Sequence, residues 1–140
     1  MATDLSTRAL RAAQDAVWPI ASAETIPEHY RRAFMLKGEG SRAGLMRAGR
    51  PLRSMISFRR QNLHDAYPES GPFDLIFCRN VLIYFQKEAR IRLVKRLTSL
   101  LGQRGYLFVG HAEALNAEYG VRAVAPSIYV PIPGSEKGAQ

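Results

Sequence analysis

At 140 residues with 46% apolar content, the chain is long enough to bury a core and short enough that one domain is expected. It has no apolar run of about 18 residues and no basic-then-apolar N-terminal signal, which argues against membrane insertion and for a cytoplasmic protein. A single Cys78 gives neither a disulfide nor a thiol pair for a metal, and His29, His64 and His111 lack ligand spacing. The net charge of +8 is local: Arg31, Arg32, Lys37, Arg42, Arg47, Arg50, Arg53, Arg59 and Arg60 stand against Glu39 alone, and the rest of the chain is balanced.

Ala2-Thr3-Asp4 reads as the tail of a strand with Asp4 at its carboxyl end. Thr7 to Asp15 spaces Leu10 and Ala13 as a helix does, with Ser6 or Asp4 as its N-cap. Val17 to Pro27, rich in Pro, Ala and Ser, reads as a loop, and Pro27 begins a short helix to about Ala33. Phe34 to Lys37 and Leu45 to Gly49 read as a hairpin around a glycine-containing loop. Gly38, Gly40 and Gly44 are one residue off a dinucleotide fingerprint, and no helix signal follows them. The basic block falls on this hairpin, so it is either a solvated surface or a positive face for an acidic partner. Nucleic acid is the less favoured partner, since aromatics are few and neither a helix-turn-helix nor a zinc pattern is present. Ser54 to Asn62 alternates loosely and leads to Gln61-Asn62-Leu63 at the end of a third strand; Asn62 also suits a turn ahead of His64-Asp65.

Phe73 to Phe85 is the most informative stretch. Leu75 to Cys78 follows the breaker Gly71-Pro72 and reads as a strand buried on both faces of a parallel sheet, which puts Arg79 and Asn80 at its carboxyl end. Ligands bind beyond the carboxyl ends of such strands, so the pair is either a ligand contact or a tie at a strand-to-helix corner. Gln86 to Leu101 is amphipathic, with Ile91, Val94, Leu97 and Leu101 on one face, Arg90, Arg92, Lys95 and Arg96 elsewhere, and Gly102 as its stop. Tyr106 to Gly110 is the next strand. Val121 to Ala125 and Ser127 to Pro131 suit a closing antiparallel hairpin, and the tail at 134–140 is expected to be flexible.

Phe-Asp-Leu-Ile-Phe-Cys-Arg-Asn-Val-Leu-Ile-Tyr-Phe at 73–85, Gly-Tyr-Leu-Phe-Val-Gly-His-Ala-Glu-Ala-Leu at 105–115, Ala2 to Ser6, and Asn62-Leu63 together resemble the CheR family of chemoreceptor glutamate methyltransferases. The likeness covers that family's C-terminal part. It implies an α/β, Rossmann-like fold dependent on S-adenosylmethionine, its first strand lying before residue 1, with a small antiparallel β subdomain inserted at about 31–60. It also implies that Asp4 meets the ribose, that Asn62 neighbours the adenine with Leu63 beside it, that Arg79 and Asn80 belong to the cofactor site, and that Tyr84 orients the reacting methyl. Tyr84 read without the resemblance is an aromatic core residue. The partner implied is an acidic helical region of a methyl-accepting chemotaxis receptor, and the product is S-adenosylhomocysteine. The glycine-rich turn for the methionine end and a helical domain bearing a basic residue would lie upstream, so methyl transfer is not expected of this stretch alone. Two other functions stay open: a docking module that does no catalysis, and a basic nucleic-acid-binding domain. His111-Ala-Glu-Ala stands where the family has His-Ser-Glu-Ser, so hydrogen bonding near Glu113 is expected to differ.

Overall fold

A computed structural model of the chain describes residues 1–65 and 71–133; the expected flexible tail at 134–140 lies outside the described residues. The chain divides into two compact units, Met1–Asp65 and Ala66–Gln140. Each is mixed α/β. Among the described residues no helix is long and apolar enough to cross a membrane.

In the first unit β1 (Ala2–Asp4) runs parallel to β5 (Phe58–Arg60), with Asp4 opposite Arg60. Helix α1 (Thr7–Asp15) packs on this pair through buried Leu10. Its cap is Ser6, whose hydroxyl accepts the Ala9 N–H at 3.2 Å. Ala16 then enters the left-handed region at φ 52° and returns its N–H to the Ala12 carbonyl, which ends the helix.

The stretch expected as a loop after α1 instead begins with a strand, β2 (Val17–Pro19), followed by a 3-10 segment at Ile20–Thr25. Tertiary pairing overrides its composition: β2 joins β4 (Leu45–Ala48), which also pairs antiparallel with β3 (Met35–Lys37), in the order β2-β4-β3. The hairpin is as the sequence suggests, but its sheet draws a strand from well before Arg31. Helix α2 (Glu28–Phe34) lies between β2 and β3 in sequence. Beyond β4 the chain leaves this sheet, forming α3 (Arg50–Ser54) with Pro51 in its first turn and then β5. Central β4 buries Met46 and Ala48 while Arg47 faces out, the period-two pattern of a one-sided sheet. Arg47 Nε donates to the Asp15 carbonyl at 3.0 Å, giving a cation to the open carbonyl end of α1.

In the second unit β6 (Phe73–Cys78) and β7 (Leu101–Val109) are parallel and joined through α4 (Lys87–Ser99). The sheet continues antiparallel through β9 (Ile128–Pro131) to β8 (Val121–Ala125), in the order β6-β7-β9-β8. The closing hairpin matches expectation, with Ser127 supplying a left-handed turn at φ 61°. Two details differ. Gly102 does not stop α4: the helix ends at Ser99, Leu100 caps it, and β7 begins at Leu101, so the glycine lies in the strand. Nor is β6 buried on both faces. Leu93, Val94 and Leu97 of α4 are buried in this unit together with Leu107 and Val109 of β7, whereas Leu75 is 50% and Phe77 65% exposed. Among the described residues β6 is the edge strand of its sheet, and Phe77 stacks on Phe108 of β7, with ring centroids 4.6 Å apart. One crossover helix covers one face. The charges of α4 are mixed in role: Arg92 and Lys95 are exposed, Lys87 pairs with Glu118 at 2.9 Å, and the Arg90 guanidinium lies 5.6 Å from the Tyr119 ring centre.

Candidate functional site

The sequence-selected residues fall into two groups, one on each unit. In the first, Asp4 ends β1 and Asn62 follows β5 by two residues, so both stand at the carboxyl ends of a parallel pair. The Gln61 N–H donates to the Asp4 carbonyl at 3.0 Å, which ties the two strand ends together. A polar recess of about 400 Å³ lies here, lined by Leu5, Arg60, Gln61, Asn62 and Asp65. Asp4 Oδ1 accepts the Ser6 N–H at 2.7 Å. Ser6, not Asp4, caps α1 through its side chain. The Asn62 amide is used locally as a turn residue would use it: Oδ1 accepts the His64 N–H at 3.0 Å, and Nδ2 donates to Asp65 Oδ1 at 3.4 Å. Leu63 is half-buried beside it.

In the second unit Arg79 and Asn80 leave β6 directly, and Tyr84 ends a 3-10 turn, Leu82–Tyr84. All three are exposed, Tyr84 at 82%, which removes the reading of Tyr84 as a core aromatic within this unit. Asn80 adopts φ 57°, a left-handed conformation that asparagine tolerates better than most residues.

A residue not selected from the sequence holds this corner. Glu113, 1% exposed, turns its carboxylate onto the backbone of both strand ends. Its Oε2 accepts the N–H of Gly110 at 2.6 Å and of Asn80 at 2.9 Å. Its Oε1 accepts Val81 and Leu82, each at 2.7 Å, with Ile83 further off at 3.4 Å. Burial by itself pushes the carboxyl up, but the N–H groups of Gly110, Asn80, Val81 and Leu82 outweigh it and hold it below the usual carboxylate value. The anion also meets the N-terminal end of the 3-10 turn, where unpaired donors would otherwise remain. Nearby Cys78 is buried, and that burial, with Glu113 as a second cause, pushes its thiol up to about 11. The one sequence signal for Glu113 is a carboxylate just past the apolar run that ends at Val109. Among the described residues, no cluster of His, Cys, Asp and Glu could hold a metal ion.

Both groups stand at the carboxyl ends of parallel strands, the place where open α/β folds as a class bind their ligands. Residues 1–128 match the family model of the CheR methyltransferase, SAM binding domain, and the chain belongs to that family. It is 38% identical over 133 residues to chemotaxis protein methyltransferase 2 of Pseudomonas aeruginosa, covering 94% of this chain and 48% of that protein. Against chemotaxis protein methyltransferase 1 of the same organism it is 42% identical over 118 residues, covering 83% and 42%. The chemotaxis protein methyltransferase of Salmonella typhimurium is 34% identical over 113 residues, covering 80% and 39%. The chain thus spans about half, or less, of each of these relatives.

Proposed function

We propose that the chain is the later part of a Rossmann-like methyltransferase domain that binds S-adenosylmethionine and serves methylation of glutamate side chains on chemoreceptors. The observation that carries this reading is made in each unit separately: Asp4 and Asn62 stand at and just past the carboxyl ends of the parallel pair β1 and β5, and Arg79 and Asn80 just past that of β6, which is parallel to β7. The donor chemistry fits the cofactor. A carboxylate at Asp4 accepts from the two vicinal hydroxyls of a ribose, and the Asn62 amide can both donate and accept along an adenine edge. Leu63 offers an apolar flank to the base. Arg79 and Asn80 supply further donors, and exposed Tyr84 orients the reacting end with its ring and hydroxyl. When bound, the cofactor supplies an electrophilic methyl on a sulfonium. A receptor glutamate is already ionised at neutral pH, so this chain's residues are asked for alignment, an effect worth up to about 7–11 kcal/mol of barrier.

The acidic helical region of the receptor is the macromolecular partner in this reading. Lys37 and Arg42 are exposed on and beside β3, within the three-stranded sheet that we read as the inserted docking subdomain. The same exposure supports the second reading, a docking module without catalysis.

Calorimetric titration of the chain with S-adenosylhomocysteine tests the assignment. Micromolar binding that Asp4→Ala weakens at least tenfold is expected. No heat of binding at millimolar ligand would remove the cofactor role from this chain and leave the docking module.

A further inference from the structure

We propose that Glu113 is the positioning residue of the candidate site: its carboxylate sets the backbone of Asn80 to Ile83 and thereby aims Asn80 and Tyr84 outward. The proposal rests on the functional reading above only for what Asn80 and Tyr84 meet. Its basis is geometric.

The corner after β6 needs an unusual arrangement. Asn80 stands at φ 57°, and the next residues turn at once into a 3-10 segment, so their N–H groups point the same way and no earlier carbonyl can take them. Val81, the residue at the cap position, gives no side-chain acceptor. Glu113 supplies one from 30 or so residues away, and the division of labour between its oxygens matters. Oε2 bridges Gly110 and Asn80, the first residues beyond β7 and near the end of β6; Oε1 gathers Val81, Leu82 and Ile83. The loops after two adjacent parallel strands are thus fastened to one buried anion. A neutral amide cannot copy this. Whichever way Gln is turned, its NH2 faces donors, either the pair at Oε2 or the trio at Oε1. Asp is one methylene short from the same backbone position.

The fastening also defines what the corner can bind. Its backbone donors are already spent on Glu113, so it is not an anion nest of the kind helix starts often make. What it leaves for a ligand is side chains: Arg79, Asn80 and Tyr84, all exposed.

The experiment compares Glu113→Gln and Glu113→Asp with Val121→Ala, a buried β8 position outside the fastening. Amide hydrogen exchange of the whole chain is read at Asn80, Val81, Leu82 and Gly110 and, as reference, along α4. S-adenosylhomocysteine affinity is read at a temperature where every variant is folded. For Glu113→Gln the four amides should exchange at least tenfold faster relative to α4 than in the parent, and ligand affinity should fall at least tenfold. Glu113→Asp should show both effects in the same direction. Val121→Ala should raise exchange evenly and keep parental affinity. Even exchange in Glu113→Gln, or lost protection with affinity kept, or an equal affinity loss in Val121→Ala, overturns the positioning role. If the parent binds no S-adenosylhomocysteine the cofactor assignment fails by itself, and the exchange pattern still decides whether Glu113 sets the corner.

Discussion

Gly110→Ala tests the Glu113 fastening without touching its charge. Gly110 does not occupy the left-handed region, so alanine can adopt its backbone conformation, and by stiffening the unfolded chain such a change ordinarily stabilises by about 0.4–1 kcal/mol. Here the added methyl would lie 2.6 Å from Asn80 Oδ1 and 2.7 Å from Glu113 Oε2. Ordinary contact with the methyl begins at 3.4 Å, so Oε2 must retreat by about 0.7 Å. Taken along its bonds to the Gly110 and Asn80 N–H groups, now 2.6 and 2.9 Å, that retreat weakens the first and carries the second out of bonding range. Hydrogen bonds to a charged group contribute about 1.5–3 kcal/mol each, so losing the Asn80 bond costs about that much, a sizeable share of the roughly 5–15 kcal/mol that holds an ordinary domain together. The sign is therefore opposite to the usual one. Urea unfolding followed through β7 amide resonances measures it, since Trp18 fluorescence reports the first unit. A gain in stability, or a loss below about 1 kcal/mol, would refute the argument.

Three further outcomes are expected. Because the folded Glu113 carboxyl is held below its unfolded value, its stabilisation is complete above the ordinary Glu pKa of about 4.3 and is lost as pH falls through the lower folded value. The urea midpoint of the second unit should drop more steeply below about pH 4 in the parent than in Glu113→Gln; equal slopes contradict this. Cys78, with its thiol pushed up to about 11 from 9.0, should have about 100-fold less thiolate at pH 8 and react correspondingly slowly with an aromatic disulfide until urea is added; labelling of the folded protein at the rate of free cysteine would be inconsistent with its burial. Lys37→Glu with Arg42→Glu should weaken binding to a glutamate-rich receptor helix, as should raising ionic strength from about 0.05 to 0.5 M. If neither change affects that binding while DNA binding responds to both, the docking reading gives way to nucleic acid. Arg47 is a poor probe because its Nε already serves the Asp15 carbonyl.

What was legible in the sequence is what local pattern determines. Helix α1 appears at Thr7–Asp15 as its spacing and cap imply, and the β3–β4 and β8–β9 hairpins follow their turn residues. Strand β2 was not legible because Val17 to Pro19 is three residues long, ends in proline and owes its extended form to pairing with β4. The early end of α4 has a similar cause. Leu101 continues the helical apolar spacing, yet it pairs with Phe73 on β6, and the strand takes it. Asn62 shows the limit in the other direction: its local turn bonds were among the sequence readings, and they coexist with a place on the lining of a polar recess at the strand end.

The Arg79-Asn80 pair posed a choice between tying down a corner and meeting a ligand, and the buried glutamate bears on it. A corner of this shape needs an acceptor for several N–H groups, which an arginine, with donors only, cannot provide. Glu113 provides it across a separation of some 30 residues, a partnership that no local pattern encodes. The tie is therefore made by backbone and carboxylate, and among the described residues the Arg79 side chain makes no hydrogen bond or ion pair. Tyr84 is likewise turned to solvent. The corner thus uses the Asn80 backbone and leaves the Arg79 and Tyr84 side chains without a structural task among the described residues, which is the arrangement the proposed ligand role requires of them.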